Sequence, residues 1–204
     1  MFTRDLVQAV SDWQRGGSRE QKAKRGAKLR AEVATLPAEF RECALSCFRQ
    51  IALDKGSLWS LADEPELPET ISAWTLALGV AREFKNGVPP PGSQGVIFAV
   101  HPIRSVVANL DRLFRDAEFV ATVEKYGNDI VGYYDGIDRY RNRQREVVLE
   151  IESVRISDIW ALGGCSSTRD ELVRMIYGPN ATSRISRNSI TSSKLATRNL
   201  RATG

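Results

Sequence analysis

The segment Gly95-Val96-Ile97-Phe98-Ala99-Val100 constrains the fold more than any other part of this sequence. Pro89-Pro90-Pro91-Gly92, just before it, interrupts regular structure, so a new element has to begin after that break. Both alternating faces of the segment are apolar, and this pattern predicts a strand in the middle of a sheet rather than at its edge. We therefore expect a sheet built around residues 95–100.

The first part of the chain has the apolar spacing of helices. An amphipathic helix is predicted at the start from its apolar residues (Phe2, Leu6, Val10, Trp13). Gly16-Gly17 is expected to end it, and Ser18 to cap the next helix. That second helix falls in a basic stretch, and its expected inward residues are Ala23, Ala27 and Val33.

Strands dominate the later part of the pattern. Residues 46–53, 71–75 and 146–154 are predicted as strands, residues 111–126 as a helix, and residues 127–143 as a loop rich in tyrosine. Helices followed by strands with irregular connections predict an α+β fold.

The charge is segregated along the 204 residues, although the net charge is only +4. Residues 15–30 carry +6 and residues 179–204 carry +5, which leaves −7 for the rest. Attraction to phosphate does not depend on base sequence, so basic ends on an acidic body are compatible with a nucleic-acid target. The basic helix is interpreted first as a solvated face, with a phosphate-binding face or partner site as the alternative. The tail is either a solvated, flexible segment or an arm that binds nucleic acid or a partner.

Several classes of protein are disfavoured by the composition. One histidine and three cysteines leave little for a zinc site, a disulfide scaffold or a histidine-based triad. The usual nucleotide-binding motifs GxxxxGK[ST] and GxGxxG are absent. No apolar run has the length of a membrane span, so no membrane partner is expected. Three cysteines are too few and odd in number for a disulfide scaffold, so the expected compartment is the reducing cytoplasm.

Three separated pieces resemble one family when they are read in order: Phe48-Arg49-Gln50-Ile51, Ser72-Ala73-Trp74-Thr75 with Ala81-Arg82-Glu83-Phe84 after it, and Gln144-Arg145-Glu146-Val147-Val148-Leu149. Together they resemble the Arg-Ser-Glu class of mono-ADP-ribosyltransferases, the cholera-toxin-like and clostridial-toxin-like group. The resemblance implies a mixed or antiparallel β core with two packed sheets around an NAD cleft. The resemblance covers roughly residues 46–160 and implies a catalytic core 46–162. Apolar spacing, charge and composition then divide the rest of the chain into a helical segment 1–45, an extension 163–178 and a flexible basic tail 179–204.

The same resemblance assigns the catalytic residues. Glu146 corresponds to the glutamate that stabilises positive charge on the ribose when NAD loses nicotinamide. Gln144 corresponds to the residue that contacts the incoming nucleophile, and strand alternation would place it on the same face as Glu146. Arg49 corresponds to the arginine that binds the NAD phosphates. NAD is the substrate, and no metal is required.

The supporting residues are less closely matched to the family pattern, because Ala73 stands where a hydroxyl is usual. Either Ser72 or Thr75 is expected to hold the glutamate, and Trp74 is expected either to line the NAD cleft or simply to pack in the core. Ser72 and Thr75 can also be ordinary strand and cap residues. The loop 133–143 corresponds to the target-recognition loop, with Tyr134 or Tyr140 as its exposed aromatic residue.

Structural roles are open for the same residues. Arg49 can be an ordinary strand arginine that pairs with Glu42 or Asp54. Glu146 can be a charge on an edge strand, and Glu150 and Glu152 form a second pair of the same parity.

The Gln-x-Glu spacing resembles transferases that modify asparagine or a nucleobase rather than arginine. The resemblance therefore implies a toxin or effector that acts on nucleic acid or protein, with nucleic acid favoured, and that has a possible antitoxin or immunity partner. The alternatives are a non-catalytic module that binds nucleic acid or a protein through basic arms, and a relic that binds NAD without transferring it.

Overall fold

The computed structural model describes residues 2–54, 66–141 and 143–165, together with the isolated positions 56, 57, 61, 174 and 180. The extension predicted over 163–178 and the basic tail predicted over 179–204 lie almost wholly outside these described residues. Within them, no helix is both long enough and apolar enough to cross a membrane.

Six α-helices are described: α1 Arg4–Gln14, α2 Arg19–Val33, α3 Leu78–Glu83, α4 Leu110–Leu113, α5 Ala117–Tyr126 and α6 Ile137–Tyr140. Single 3₁₀ turns occupy Ala38–Arg41, Phe84–Gly87, Gly127–Asp129 and Ile156–Asp158.

The described strands form a six-stranded and a two-stranded sheet. The six-stranded sheet contains β1 Cys47–Asp54, β3 Ile71–Thr75, β4 Ser93–Val100, β5 Val106–Asn109, β6 Glu146–Glu150 and β8 Ile159–Cys165. The pair consists of β2 Glu66–Pro68 and β7 Ser153–Arg155. The large sheet has the order β5-β6-β3-β1-β4-β8, and all its pairings are antiparallel.

The two strongest sequence predictions are confirmed. The chain is α+β, with its long helices first, and the apolar segment 95–100 lies in β4, between β1 and β8. Val96, Ile97 and Phe98 have no solvent exposure. The pairing in the six-stranded sheet is antiparallel throughout, which confirms that the β core is of the mixed or antiparallel kind.

The predicted end of the first helix and start of the second are also confirmed. Gly16 and Gly17 have φ values of +67° and +122°, which turn the backbone out of α1. Ser18 then accepts a hydrogen bond from the backbone N–H of Gln21, whose side chain accepts one from the Ser18 N–H. This reciprocal capping box fixes the point where α2 begins.

The inward face of α2 was predicted wrongly for two of its three residues. Val33 is buried as expected, but Ala23 and Ala27 are exposed, and Gly26 and Leu29 are buried instead. A Cβ at position 26 would lie only 2.2 Å from Cδ1 of Ile71 in β3. The helix therefore contacts the sheet through a glycine, and a search for apolar side chains misses that contact line.

Two further predictions change in detail. The helix predicted over 111–126 is divided into α4 and α5, because Asp116 caps a new helix by accepting from the backbone N–H groups of Glu118 and Phe119. The loop predicted over 127–143 contains a 3₁₀ turn and α6.

One junction in the sheet matters for the site. β1 and β4 pair along eight residues, and β3 and β6 along five. In contrast, β1 and β3 are paired only where Phe48 lies opposite Thr75. The two strands part beyond that point, which leaves space between them.

Candidate functional site

A cleft of about 340 Å³ lies where β1 and β3 part. It is lined by residues from both strands, from α3 and from the segment that precedes β6. Five of the predicted site residues are among them: Arg49, Trp74, Thr75, Gln144 and Glu146. Residues from three distant parts of the sequence are therefore brought to one concave surface.

Glu146 is the first residue of β6, and its side chain is almost fully buried, with 5% exposure. The indole N–H of Trp13 donates to Oε1 at 2.7 Å, and the amide Nε2 of Gln14 donates to Oε2 at 3.1 Å. Burial raises the pKa of the Glu146 carboxyl group, while the bonds from Gln14 and Trp13 act in the opposite direction. Both carboxylate oxygens are thus held by the end of α1.

Trp13 and Gln14 were not predicted as site residues. The helical spacing places Trp13 only on the apolar face of the first helix. A buried indole N–H needs a hydrogen-bond acceptor, and this requirement is the one feature of the sequence that could have indicated a polar partner for Trp13. The acceptor lies more than 130 positions away in the sequence, so spacing could not identify it.

The hydroxyl expected to hold Glu146 is not among the partners of this carboxylate in the described residues. Thr75 Oγ1 donates to the Gln144 carbonyl oxygen at 2.6 Å and accepts from the Ala77 N–H at 3.0 Å. Ser72 Oγ donates to the Thr70 carbonyl and accepts from the Trp74 indole N–H at 2.9 Å. Trp13 and Gln14 take the place expected for Ser72 or Thr75.

The segment before Glu146 is not an extension of the strand. β6 begins at Glu146. Arg145, just before it, has φ +46°, in the left-handed region that residues other than glycine rarely adopt. The Thr75 hydroxyl and the Leu76 N–H bind the carbonyl groups of Gln144 and Arg145 and hold this turn. Gln144 therefore reaches the cleft through a turn, and the prediction that strand alternation aligns it with Glu146 is wrong.

Arg49 lies in β1 and forms an ion pair with Glu69, in the connection between β2 and β3. The structural alternative named Glu42 or Asp54 as its partner, and neither is correct. Burial lowers the Arg49 pKa to about 10, which still leaves the guanidinium charged at neutral pH.

A second cavity, of about 230 Å³, adjoins the cleft at Arg49 and Lys22, which line both spaces. Arg19 and Ser72 also line it. Arg19 and Lys22 belong to α2, the helix of the basic stretch. The start of that helix therefore brings positive charge to the same region as Arg49.

The alternative glutamates lie away from the cleft. Glu150 is in the same strand with the same parity as Glu146, but its side chain is 55% exposed and pairs with Arg30. Glu152 is exposed as well. Of the three, only Glu146 is buried and lines the cleft.

The two predicted recognition tyrosines lie in different surroundings. Tyr134 is 75% exposed and packs edge-to-face with Tyr133 at a ring-centroid distance of 5.3 Å. Tyr140 is half-buried and lines a third cavity, of about 240 Å³, which also reaches Glu146.

No family model, curated protein or solved structure matches this chain. In the described part of the chain, no group of three or more His, Cys, Asp or Glu side chains is arranged to hold a metal ion.

Proposed function

We propose that this chain is an NAD-dependent mono-ADP-ribosyltransferase, a toxin or effector that transfers ADP-ribose to a macromolecular target. The observation that carries the proposal is the meeting of Arg49, Trp74, Gln144 and Glu146 in one cleft. These residues come from the three sequence pieces that resemble the Arg-Ser-Glu class. The ADP-ribosyltransferase-type fold is part of the same proposal, with β1 and β3 of the six-stranded sheet on either side of the NAD cleft.

Glu146 supports the proposed chemistry through its position. Loss of nicotinamide from NAD places positive charge on the ribose C1′, and a fixed carboxylate beside that atom stabilises the charge. Trp13 and Gln14 hold both oxygens of Glu146, so the carboxylate does not have to reorganise during the reaction. The same two bonds favour the ionised form that this role requires.

The basic residues support binding of a dinucleotide. Arg49 and Lys22 line both the cleft and the adjoining cavity, and Arg19 lines the adjoining cavity. An arginine binds phosphate oxygens through a planar pair of donors, and nearby cations add to that attraction. We assign the NAD diphosphate to this region, where it would replace Glu69 as the partner of Arg49.

Gln50 provides a further group for the substrate. It lines the cleft, and its Oε1 is buried with no hydrogen-bond partner among the described residues. A buried acceptor of this kind is costly unless a ligand supplies a donor. The carboxamide N–H₂ of nicotinamide is such a donor.

The proposal is tested by the release of nicotinamide from NAD, measured for the wild-type chain and two variants. Glu146→Gln should lower kcat by at least about 100-fold, the size expected for loss of one electrostatic contact to the transition state. Glu150→Gln is the matched control, because Glu150 shares the strand and parity of Glu146 but is exposed, and its rate should stay near wild type.

Two results would contradict the assignment. Nicotinamide release that survives Glu146→Gln would remove Glu146 from the catalytic role. An inactive wild-type chain that still binds nucleic acid would instead favour the non-catalytic binding module, for which the exposed basic residues of α2 are the supporting observation.

A further inference from the structure

The third cavity, beyond Glu146, contains a polar group that the proposed NAD site does not use. Its lining residues are Gln14, Asp111, Phe114, Arg115, Tyr140, Arg145 and Glu146. Glu146 alone is shared with the first cleft. The proposed catalytic residue therefore borders both spaces, and a group in each space can approach it.

Gln14 is the first indication of a ligand in this cavity. The residue is more than nine-tenths buried, and its Oε1 has no hydrogen-bond partner among the described residues. The amide Nε2 donates to Oε2 of Glu146 at 3.1 Å, and Oε1 is the amide atom left without a partner. Oε1 is therefore an acceptor that needs a donor from a bound molecule.

Arg145 and Arg115 are the second indication. Both contact Asp111: Arg115 through Nε at 3.1 Å, and Arg145 through Nε at 3.3 Å. Two guanidinium groups thus share one carboxylate, and the Nη groups of Arg145 have no partner among the described residues. This arrangement suits an anion with several oxygens, such as a phosphate.

Aromatic side chains complete the cavity. Phe114 is buried, and Tyr140 is half-buried with the Arg139 guanidinium 5.4 Å from its ring centroid. Flat aromatic surfaces near a phosphate-binding group are typical of sites that hold an unstacked base. The volume of about 240 Å³ is below that of ordinary drug-sized pockets, so it suits a single base rather than a folded segment.

We propose that this cavity is the acceptor site, and that it takes a nucleobase with an exocyclic amino group next to a phosphate. The amino group donates to Gln14 Oε1, and the phosphate binds Arg145 and Arg115. This inference rests on the proposed function, because it gives Glu146 a donor substrate on one side and an acceptor on the other.

The bond between ribose C1′ and the nicotinamide nitrogen breaks, and its electron pair leaves with neutral nicotinamide. The lone pair of the exocyclic amino nitrogen forms the new bond to C1′. One proton leaves that nitrogen for Glu146 or solvent, so NAD and the base give the ADP-ribosylated base, nicotinamide and a proton.

The test uses the full chain, NAD labelled in its adenylate phosphate, and short single-stranded oligonucleotides of a single base. Oligonucleotides of dA, dC or dG carry an exocyclic amino group, and oligo(dT) does not. We expect label on at least one of the first three and none on oligo(dT). The matching mononucleotide, assayed in parallel, distinguishes a free nucleotide from a nucleic acid as the source of the base.

Variants of the cavity provide the second arm. Arg145→Gln and Arg115→Gln should each lower the ratio of base labelled to nicotinamide released by about tenfold, the value of one charge-assisted hydrogen bond. Arg112→Gln is the control, since Arg112 lies in α4 but pairs with Glu39 and does not line the cavity. Its ratio should equal that of the wild type. Binding of the oligonucleotide, followed by fluorescence anisotropy, should weaken in the same order.

The outcomes separate the two proposals. Absence of nicotinamide release by the wild-type chain with every oligonucleotide present contradicts the proposed function. Nicotinamide release with equal labelling of oligo(dT), with label only on protein from a lysate, or with unchanged ratios in both arginine variants overturns the acceptor site alone.

Discussion

Trp13→Phe removes one hydrogen bond from the buried carboxylate of Glu146 and keeps an aromatic ring in place. The lost bond joins Trp13 Nε1 to Oε1 at 2.7 Å, in a site where Trp13 and Glu146 are each 5% exposed. A hydrogen bond to a charged group is worth about 1.5–3 kcal/mol, against about 1 kcal/mol for a neutral one. Because the bond favours the ionised form, its loss should raise the pKa of Glu146 further.

The effect on stability should depend on pH in a defined direction. Burial has already raised the Glu146 pKa above its value in the unfolded chain. The group therefore stabilises the fold fully below the unfolded pKa, and this contribution is lost as pH rises through the folded pKa. With the Trp13 bond removed, the loss is larger, so Trp13→Phe should cost more stability above neutrality than in acid.

The assay is urea unfolding of a double-mutant cycle: wild type, Trp13→Phe, Glu146→Gln and the double variant. In the Glu146→Gln background the indole donates to a neutral amide, so the cost of Trp13→Phe should fall by about 1 kcal/mol. Any loss of packing from the smaller ring is common to both backgrounds and cancels. An equal cost in both backgrounds, or a cost that is larger in acid, would refute the role assigned to Trp13.

Two further predictions concern the Arg49–Glu69 ion pair and helix α2. Glu69→Gln removes the ion-pair partner of Arg49, so the KM for NAD should fall severalfold in steady-state kinetics. An increase in KM would mean that Glu69 positions Arg49 rather than competes with phosphate. Gly26→Ala places a Cβ 2.2 Å from Cδ1 of Ile71 and should cost about 1–3 kcal/mol in urea unfolding through overpacking. Ala27→Ser, on the exposed side of the same helix, is its control, and equal stabilities of the two variants would contradict the tight helix–sheet contact.

The sequence was sufficient where local pattern decides structure. The apolar run of β4, the capping box at Ser18 and the turn at Gly16-Gly17 depend on neighbouring residues, and each appears as predicted. Pattern was less reliable where a contact depends on the absence of a side chain. Gly26 contacts Ile71 because it has no side chain. A prediction based on apolar side chains therefore chose Ala23 and Ala27 as the inward residues, and both are exposed.

The candidate site shows the same division. Motif order indicated Arg49 and Glu146, and the structure brings both to one cleft. The donors to Glu146 could not be predicted, because they depend on how α1 packs against β6 across most of the chain. The positive φ of Arg145 could not be predicted either, since the residue that adopts it is neither a glycine nor an asparagine.

The central claim is that the cleft between β1 and β3 binds NAD with its reactive ribose at Glu146. A crystal structure of the Glu146→Gln variant with NAD tests this most directly, because that variant should bind the dinucleotide without cleaving it. We expect the ribose C1′ beside residue 146 and the diphosphate against Arg49. A diphosphate bound away from Arg49, or an empty cleft at saturating NAD, would contradict it.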